Sequence, residues 1–162
     1  MSVNKKLTAL GLAIMCLIIA LDQLSKWLIL AKIVIPPEHS VIEIAPFFNI
    51  VLVWNYGISF GLFAADRQPL LLVVMSAVIL FILLLWLMKN TSLLTACAVG
   101  SIMGGAIGNV LDRLRFEAVV DFLDFHIGPH HWPAFNIADS CIFIGVVLLC
   151  SSGMFTSDHK PS

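Results

Sequence analysis

The sequence predicts an all-α polytopic membrane protein with four transmembrane helices, a small β-rich element and an interfacial segment outside the bilayer. Of its 162 residues, 60% are hydrophobic and 12% are charged, whereas soluble domains carry about 25% charged residues. The mean hydropathy is +1.01. Four apolar runs approach or exceed the roughly 20 residues that a helix needs to cross the hydrocarbon. The net charge of −1 argues against a nucleic-acid partner, and membrane lipids are the expected surroundings.

We predict one membrane-embedded domain, residues 1–162, with spans at about 7–31, 69–88, 93–111 and 134–155. The first run is interrupted only by Asp22, Gln23 and Lys26. Lys5 and Lys6 before apolar residues are also typical of a cleaved signal peptide. The run is long and has polar residues near its end instead of a small-residue cleavage site, which favours a retained span.

The third run carries small residues at a strict spacing of four. They are Ala96, Gly100, Gly104 and Gly108. Such a stripe lets the backbone of a neighbouring helix approach closely. We therefore expect this helix to be tightly packed and to hold Asn109 and Asp112 in a fixed place.

The distribution of Lys and Arg predicts the orientation in the membrane. Lys5, Lys6, Lys89 and Lys160 lie on the side of the termini, and Lys32, Arg67, Arg113 and Arg115 lie on the other side. The first group lies in very short flanking segments, where the positive-inside bias acts most strongly. We predict cytoplasmic termini, so that the connections 32–68 and 112–133 face outward.

The two outer connections differ in pattern. Residues 41–44 and 47–54 are rich in β-branched and aromatic residues and are bounded by prolines and by Asn55, which indicates short strands joined by turns. The membrane surface is their expected cover. Residues 113–133 mix charged and apolar side chains, and we expect them to lie along the interface.

Polar residues cluster in the outer halves of the predicted spans. They are Asp22, Lys26, Asn109, Asp112, Asn136 and Asp139. Ionisable groups in spanning helices cost on the order of several kcal/mol unless they are paired or reach water, so they are candidates for function. The sequence therefore predicts one outward-facing polar site.

Spacing within the elements indicates which side chains meet. Asp22 and Lys26 are four residues apart on one helix face, as a structural ion pair or as part of the site. For Arg113 two interpretations stay open, an interfacial anchor or a salt bridge to Asp112 or Asp139.

The residue types limit the chemistry of such a site. No histidine lies within a predicted span, which argues against a His-Glu-x-x-His zinc protease and a serine–histidine dyad there. Two carboxylates that share a site can divide the work, because only one of them ionises readily. By spacing alone either Asp121 or Asp124 is a candidate partner of Asp139, since a helix would place both on one face.

Five motifs occur in a fixed order along the chain. They are Asp22-x-x-x-Lys26, Asn55-Tyr56-Gly57-Ile58-Ser59-Phe60-Gly61, Gly108-Asn109-x-x-Asp112-Arg113, Val120-Asp121-Phe122 and Phe135-Asn136-Ile137-Ala138-Asp139-Ser140. Together they closely resemble the lipoprotein signal peptidase family, signal peptidase II, over about residues 15–150. No single motif is specific, but all five in order are.

The resemblance implies a bacterial inner-membrane aspartic endopeptidase with its active site facing the periplasm. Separately, we expect a monomer without metal or cofactor. Such an enzyme removes signal peptides from prolipoproteins that carry a diacylglyceryl-cysteine, using water activated by two aspartates. Asp121 and Asp139 match the catalytic pair. The family's surrounding polar residues match Asn55, Asn109, Asp112, Arg113 and Asn136, and its helix 1 pair matches Asp22 and Lys26.

Two other classes of function remain as alternatives. A small transporter would also carry ionisable residues in its spans, but it would favour internal repeats, which the chain lacks. A metal-dependent hydrolase would use ligands from the second outer connection. These ligands would be Asp121, Asp124, His126, His130 and His131. Activity in the presence of a chelator separates this hydrolase from the aspartic peptidase.

Overall fold

The computed structural model describes residues 4–32, 41–57, 69–89 and 92–155, with side chains up to Ser151. Within these ranges the chain forms four helices: α1 (Lys5–Lys32), α2 (Pro69–Lys89), α3 (Leu93–Phe116) and α4 (Ile137–Phe155). It also forms four strands: β1 (Val41–Ala45), β2 (Phe48–Asn55), β3 (Val119–Ile127) and β4 (His130–His131). Residues 58–61 of the second motif lie outside the described residues.

Helices α1, α2 and α3 are each long and apolar enough to cross a membrane, judged by length and composition. They contain the first three predicted spans. The fourth predicted span contains α4, which begins three residues later. The described apolar part of α4, Ile137–Ser151, is shorter than the other three helices. Helix α3 extends to Phe116, five residues beyond the predicted end, so Asp112 and Arg113 lie inside the helix.

Helix α3 is the centre of the helical layer. Twelve of its 24 residues are buried, against four in α1 and three in α2, and it packs on all three other helices. Many large apolar side chains of α2 are exposed, Leu70 and Phe81 among them. An apolar outer face around a more polar interior is the arrangement expected of helices surrounded by lipid.

The small-residue stripe of α3 packs against α1, as predicted. A Cβ on Gly100 would overlap the backbone of Gly11, and one on Gly104 would lie 2.8 Å from Cβ of Ile18. At the last position of the stripe, a Cβ on Gly108 would overlap the carboxylate of Asp22. The stripe therefore both brings α1 close and leaves room for a charged side chain.

The strands form one antiparallel sheet in the order β1-β2-β3-β4. Strands β1 and β2 confirm the predicted strand pair. The second outer connection, for which no strand was predicted, forms β3 and β4, because the β-branched start of β3 pairs with the far end of β2. Glu117, with φ 59°, ends α3 in a left-handed conformation and turns the chain into β3.

Candidate active site

All nine predicted site residues belong to one connected hydrogen-bond network at the end of α3 that leads into the sheet. They are Asp22, Lys26, Asn55, Asn109, Asp112, Arg113, Asp121, Asn136 and Asp139. They come from α1, β2, α3, β3 and the start of α4. Residues up to 117 positions apart in the sequence are thus brought to one place, as expected of a single polar site.

Asn136 and Asp139 form a capping box at the start of α4. The backbone N–H of Asp139 donates to Oδ1 of Asn136 at 2.9 Å, and the backbone N–H of Asn136 donates to Oδ2 of Asp139 at 3.3 Å. Asn136 is the residue before the first helical position, where Asn is a preferred cap, and reciprocal bonds of this kind fix both side chains. The spacing of three between these two residues therefore serves the local structure as well as the site.

Asp121 lies on β3 with a side chain that is 1% exposed. Its Oδ2 accepts a hydrogen bond from the amide of Asn55 on β2 at 2.9 Å, and its Oδ1 accepts one from the amide of Asn136 at 2.7 Å. The carboxylate is thus held between the sheet and the start of α4.

Asp139, in the first turn of α4, belongs to the same network through Asn109 on α3. Its Oδ1 accepts the amide of Asn109 at 2.8 Å, and Asn136 donates to Oδ1 of Asn109 at 3.2 Å. One amide side chain, that of Asn136, therefore links the environments of the two aspartates. Burial, followed by the nearby charge of Asp139, raises the pKa of Asp121 to about 7. The hydrogen bonds from Asn55 and Asn136 and the charge of Lys26 act in the opposite direction and lower the pKa.

Lys26 is the buried cation of the site, with a side chain 3% exposed. Its ammonium lies 2.9 Å from Oδ2 of Asp22, 2.8 Å from Oδ2 of Asp112 and 3.0 Å from Oδ1 of Asn109. The three N–H donors of a lysine are thereby matched by three acceptors. The predicted Asp22–Lys26 pair is present, and Asp112 is its second carboxylate.

Asp112 also holds the backbone of β3, since the N–H of Val120 donates to its Oδ2 at 3.1 Å. Arg113 contacts backbone carbonyls: its Nη2 donates to the oxygen of Gly57 at 2.9 Å, and its Nη1 donates to that of Asn109 at 3.4 Å. In the described part of the chain no ion pair joins Arg113 to Asp112 or Asp139. The predicted salt bridge is therefore wrong, and Arg113 instead ties α3 to the end of β2.

Asp124 does not share the hydrogen-bond network that contains Asp121 and Asp139. Because residues 119–127 form a strand and not a helix, side chains three apart point to opposite faces. Asp124 accepts the amide of Asn49 at 3.0 Å and lies 2.9 Å from Nδ1 of His131. Desolvation would raise its pKa, but the hydrogen bonds from His131 and Asn49 outweigh that effect and lower it.

The strand also separates the residues that the metal-dependent hydrolase hypothesis names as ligands. Asp121 and Asp124 belong to separate hydrogen-bond networks, and the rings of His126 and His131 stack at a centroid distance of 4.8 Å. His130 is exposed. Among the residues that the structure describes, no three His, Cys, Asp or Glu side chains are grouped as metal ligands.

Gln23 is the polar contributor that the sequence did not single out as part of the site. Its Nε2 donates to Oδ1 of Asp112 at 2.9 Å and to the backbone oxygen of Gly108 at 3.2 Å. Its Oε1 accepts a hydrogen bond from Nη1 of Arg115 at 3.1 Å. The available signal was its position beside Asp22 within an apolar span. Asn49, the partner of Asp124, carried no signal because its role depends on strand pairing.

Fold and site together define a multi-pass membrane enzyme. The structure of a bacterial membrane enzyme solved by the in meso method at 2.3 Å resolution superposes with a TM-score of 0.82 at 29% identity. The match covers 94% of this chain and 92% of that chain. A second, at 1.9 Å, gives a TM-score of 0.76 at 29% identity, covering 92% and 94%.

Sequence comparison identifies the family. The family model described as Signal peptidase (SPase) II matches residues 14–155. The lipoprotein signal peptidase of Anaplasma phagocytophilum is 44% identical over 140 residues, 86% of this chain and 88% of that protein. That of Syntrophotalea carbinolica is 42% identical over 144 residues, 85% and 86% of the two chains. The chain belongs to the signal peptidase II family, a family of proteases, and the resemblance inferred from the motifs is confirmed.

Proposed function

We propose that this protein is an aspartic endopeptidase that removes signal peptides from diacylglyceryl-modified prolipoproteins, with Asp121 and Asp139 activating water. The observation that carries the proposal is the link between the two carboxylates through Asn136, which donates to Asp121 and caps the helix turn bearing Asp139. Family membership supplies the substrate class.

The proposed chemistry is direct attack of water on the scissile carbonyl. The ionised aspartate takes a proton from water as the O–C bond forms, and the protonated aspartate donates a hydrogen bond and then a proton to the carbonyl oxygen. Collapse of the resulting gem-diol breaks the C–N bond. The carboxyl that took the proton from water delivers it to the leaving amine, and the other carboxylate takes back a proton from a hydroxyl of the intermediate. No covalent enzyme intermediate is needed.

The pKa of Asp121 supports its assignment as the residue that carries the shared proton near neutral pH. A carboxyl with a pKa of about 7 is protonated in a large share of molecules at physiological pH. An exposed aspartate, with a pKa near 4, would be ionised there almost completely. Apparent values from kinetics will belong to the dyad as a whole.

The surrounding amides supply orientation in this proposal. Asn55 and Asn136 fix both oxygens of Asp121, and Asn109 fixes one oxygen of Asp139. Arg113 secures the end of β2 through Gly57, close to the Asn55 that reaches the dyad. These contacts hold the two carboxyl groups in a fixed geometry before substrate binds. Such orientation of reacting groups lowers the activation barrier.

We further propose four spans, cytoplasmic termini and a dyad that faces the periplasm of the bacterial inner membrane, in a monomeric enzyme. Acyl chains of a diacylated cysteine reside in the outer leaflet, so a site just inside the outer surface meets the scissile bond where the lipid places it. The polar network at one end of α3 is consistent with this depth.

A gel assay tests the proposal directly. Purified protein is incubated in detergent with a diacylglyceryl-modified prolipoprotein, and cleavage is read as a shift in size, with and without a chelator. We expect cleavage in both, and poor cleavage of the unmodified precursor, because the lipid contributes burial of about 0.8 kcal/mol per CH₂. Loss of activity in the chelator, or equal rates for both precursors, would contradict the proposal.

A further inference from the structure

Two further buried carboxylates each accept a hydrogen bond from the backbone N–H of the residue before one of the two aspartates. Oδ2 of Asp112 accepts the N–H of Val120 at 3.1 Å, one residue before Asp121. Oδ1 of Asp22 accepts the N–H of Ala138 at 3.0 Å, one residue before Asp139. The same relationship thus occurs twice, once on β3 and once at the start of α4.

A single cation joins these two contacts. The ammonium of Lys26 lies 2.9 Å from Asp22 and 2.8 Å from Asp112, and both carboxylates are at most 1% exposed. Buried carboxylates of this kind stay close together only with a positive charge between them. Lys26 therefore fixes the separation of Asp22 and Asp112, and through them the separation of Val120 and Ala138.

We infer that Lys26, Asp22 and Asp112 are positioning residues that set the distance between Asp121 and Asp139 through the backbone of Val120 and Ala138. The inference rests on the proposed function, because it assigns a purpose to the separation of that dyad. None of the three residues needs to touch substrate for this role.

The contacts distinguish this role from that of an ion pair that only links two helices. Such a link would need only the Lys26–Asp112 ion pair, which joins α1 to α3. The carboxylates in addition bind one peptide group of β3 and one at the first turn of α4, both next to a dyad residue. Gly108 has no side chain at the position where Asp22 needs space.

The first test compares Lys26→Met with Lys89→Met, a matched change at the exposed end of α2. For each purified variant we would measure kcat and KM for the lipidated precursor, the pH profile of kcat, and the melting temperature. We expect Lys26→Met to lower kcat about 100-fold with KM little changed, and Lys89→Met to match the parent.

The pH profile separates positioning from stability. The charged groups around Asp121 are Asp139 on α4, Lys26 on α1 and Arg113 on α3. If the dyad widens, its electrostatic coupling falls, and the two apparent pKa values of kcat move closer together. A folded Lys26→Met variant with the parent's kcat and profile overturns the inference. So does a lower melting temperature with an unchanged profile.

A second pair keeps the inference testable if Lys26→Met fails to fold. Asp112→Asn retains an oxygen that can accept the N–H of Val120, whereas Asp112→Ala does not. We expect Asp112→Asn to keep at least tenfold more activity than Asp112→Ala, and equal activities would contradict the inference. Failure of the proposed function has a different signature: a parent enzyme that does not cleave, or Asp121→Asn and Asp139→Asn variants that do.

Discussion

Asn136 donates its side-chain amide to Oδ1 of Asp121 at 2.7 Å. Its own Oδ1 at the same time caps the helix turn that carries Asp139. Strand β3 and helix α4 are therefore aligned by one buried side chain, which is 0% exposed. Because a capping residue has little freedom to move, the position of Asp121 is tied to the helix start and not to the flexible end of a long side chain.

The first prediction concerns the two aspartates themselves. Asp121→Asn and Asp139→Asn should each abolish cleavage while the protein stays folded, because each removes one half of an acid–base pair. A gel shift with the lipidated precursor measures activity, and the melting temperature in detergent reports folding. A purified variant that cleaves at near the parental rate would exclude its residue from the dyad.

Asp124→Asn is the matched control for this pair. Asp124 is bonded to Asn49 and His131 on the other face of β3, so the change should leave most of the activity. Loss of activity in Asp124→Asn together with an active Asp121→Asn variant would exchange the two assignments.

The second prediction is a dependence of stability on pH. Asp121 has a pKa of about 7 in the folded protein against 3.8 as its ordinary value, so the folded state binds the proton more tightly. Its contribution to stability is complete below the ordinary value and is lost as the pH rises through the folded value. At about 1.4 kcal/mol per unit, the ceiling of this loss is about 4 kcal/mol.

Asp121→Asn removes this ionisation and should therefore gain stability relative to the parent as the pH rises. Melting temperatures of both proteins in detergent at pH 5 and pH 8 provide the measurement. We expect the difference, variant minus parent, to be larger at pH 8. A difference that does not change with pH would show that Asp121 titrates as an ordinary carboxyl.

Much of this arrangement follows from local patterns in the sequence, and the rest depends on distant pairing. The apolar runs predict α1, α2 and α3 because a bilayer demands long apolar helices. Strand β3 is not predicted, because its partner β2 is about 70 residues away and strand preference depends on such partners. A helical period of 3.6 places Asp124 on the same face as Asp121, whereas the strand period of two places it on the opposite face.

The candidate site divides in the same way. The capping box of Asn136 and Asp139 and the pair of Asp22 and Lys26 are short-range and readable from spacing. The choice of Asp121 came from the family resemblance and not from spacing. The contacts of Gln23 and of the Val120 backbone could not be read, because they depend on how closely α1 and β3 approach α3.

The third prediction uses the glycine stripe to separate packing from function. Gly104→Ala and Gly108→Ala both place a methyl group where α1 packs, and overpacking of this kind typically costs 1–3 kcal/mol. Only the methyl group at Gly108 would meet the carboxylate of Asp22. We expect both variants to melt earlier, and only Gly108→Ala to lose kcat at a temperature where both are folded. Equal kcat in the two variants would show that the position of Asp22 does not matter for catalysis.

The last prediction is the orientation in the membrane. Helix α3 has 24 residues and so is about 36 Å long, enough to cross a hydrocarbon core of about 30 Å. Ser92 before it and His130 after it should therefore lie on opposite sides, and Lys89 beside Ser92 favours the cytoplasm for that end. In a background with the four native cysteines replaced, Ser92→Cys should resist an impermeant thiol reagent in intact spheroplasts, and His130→Cys should react. Detergent-permeabilised cells, in which both must react, control for access to these exposed positions. Labelling of Ser92→Cys with protection of His130→Cys would invert the topology and move Asp121 and Asp139 to the cytoplasmic side, away from a lipoprotein precursor anchored in the outer leaflet.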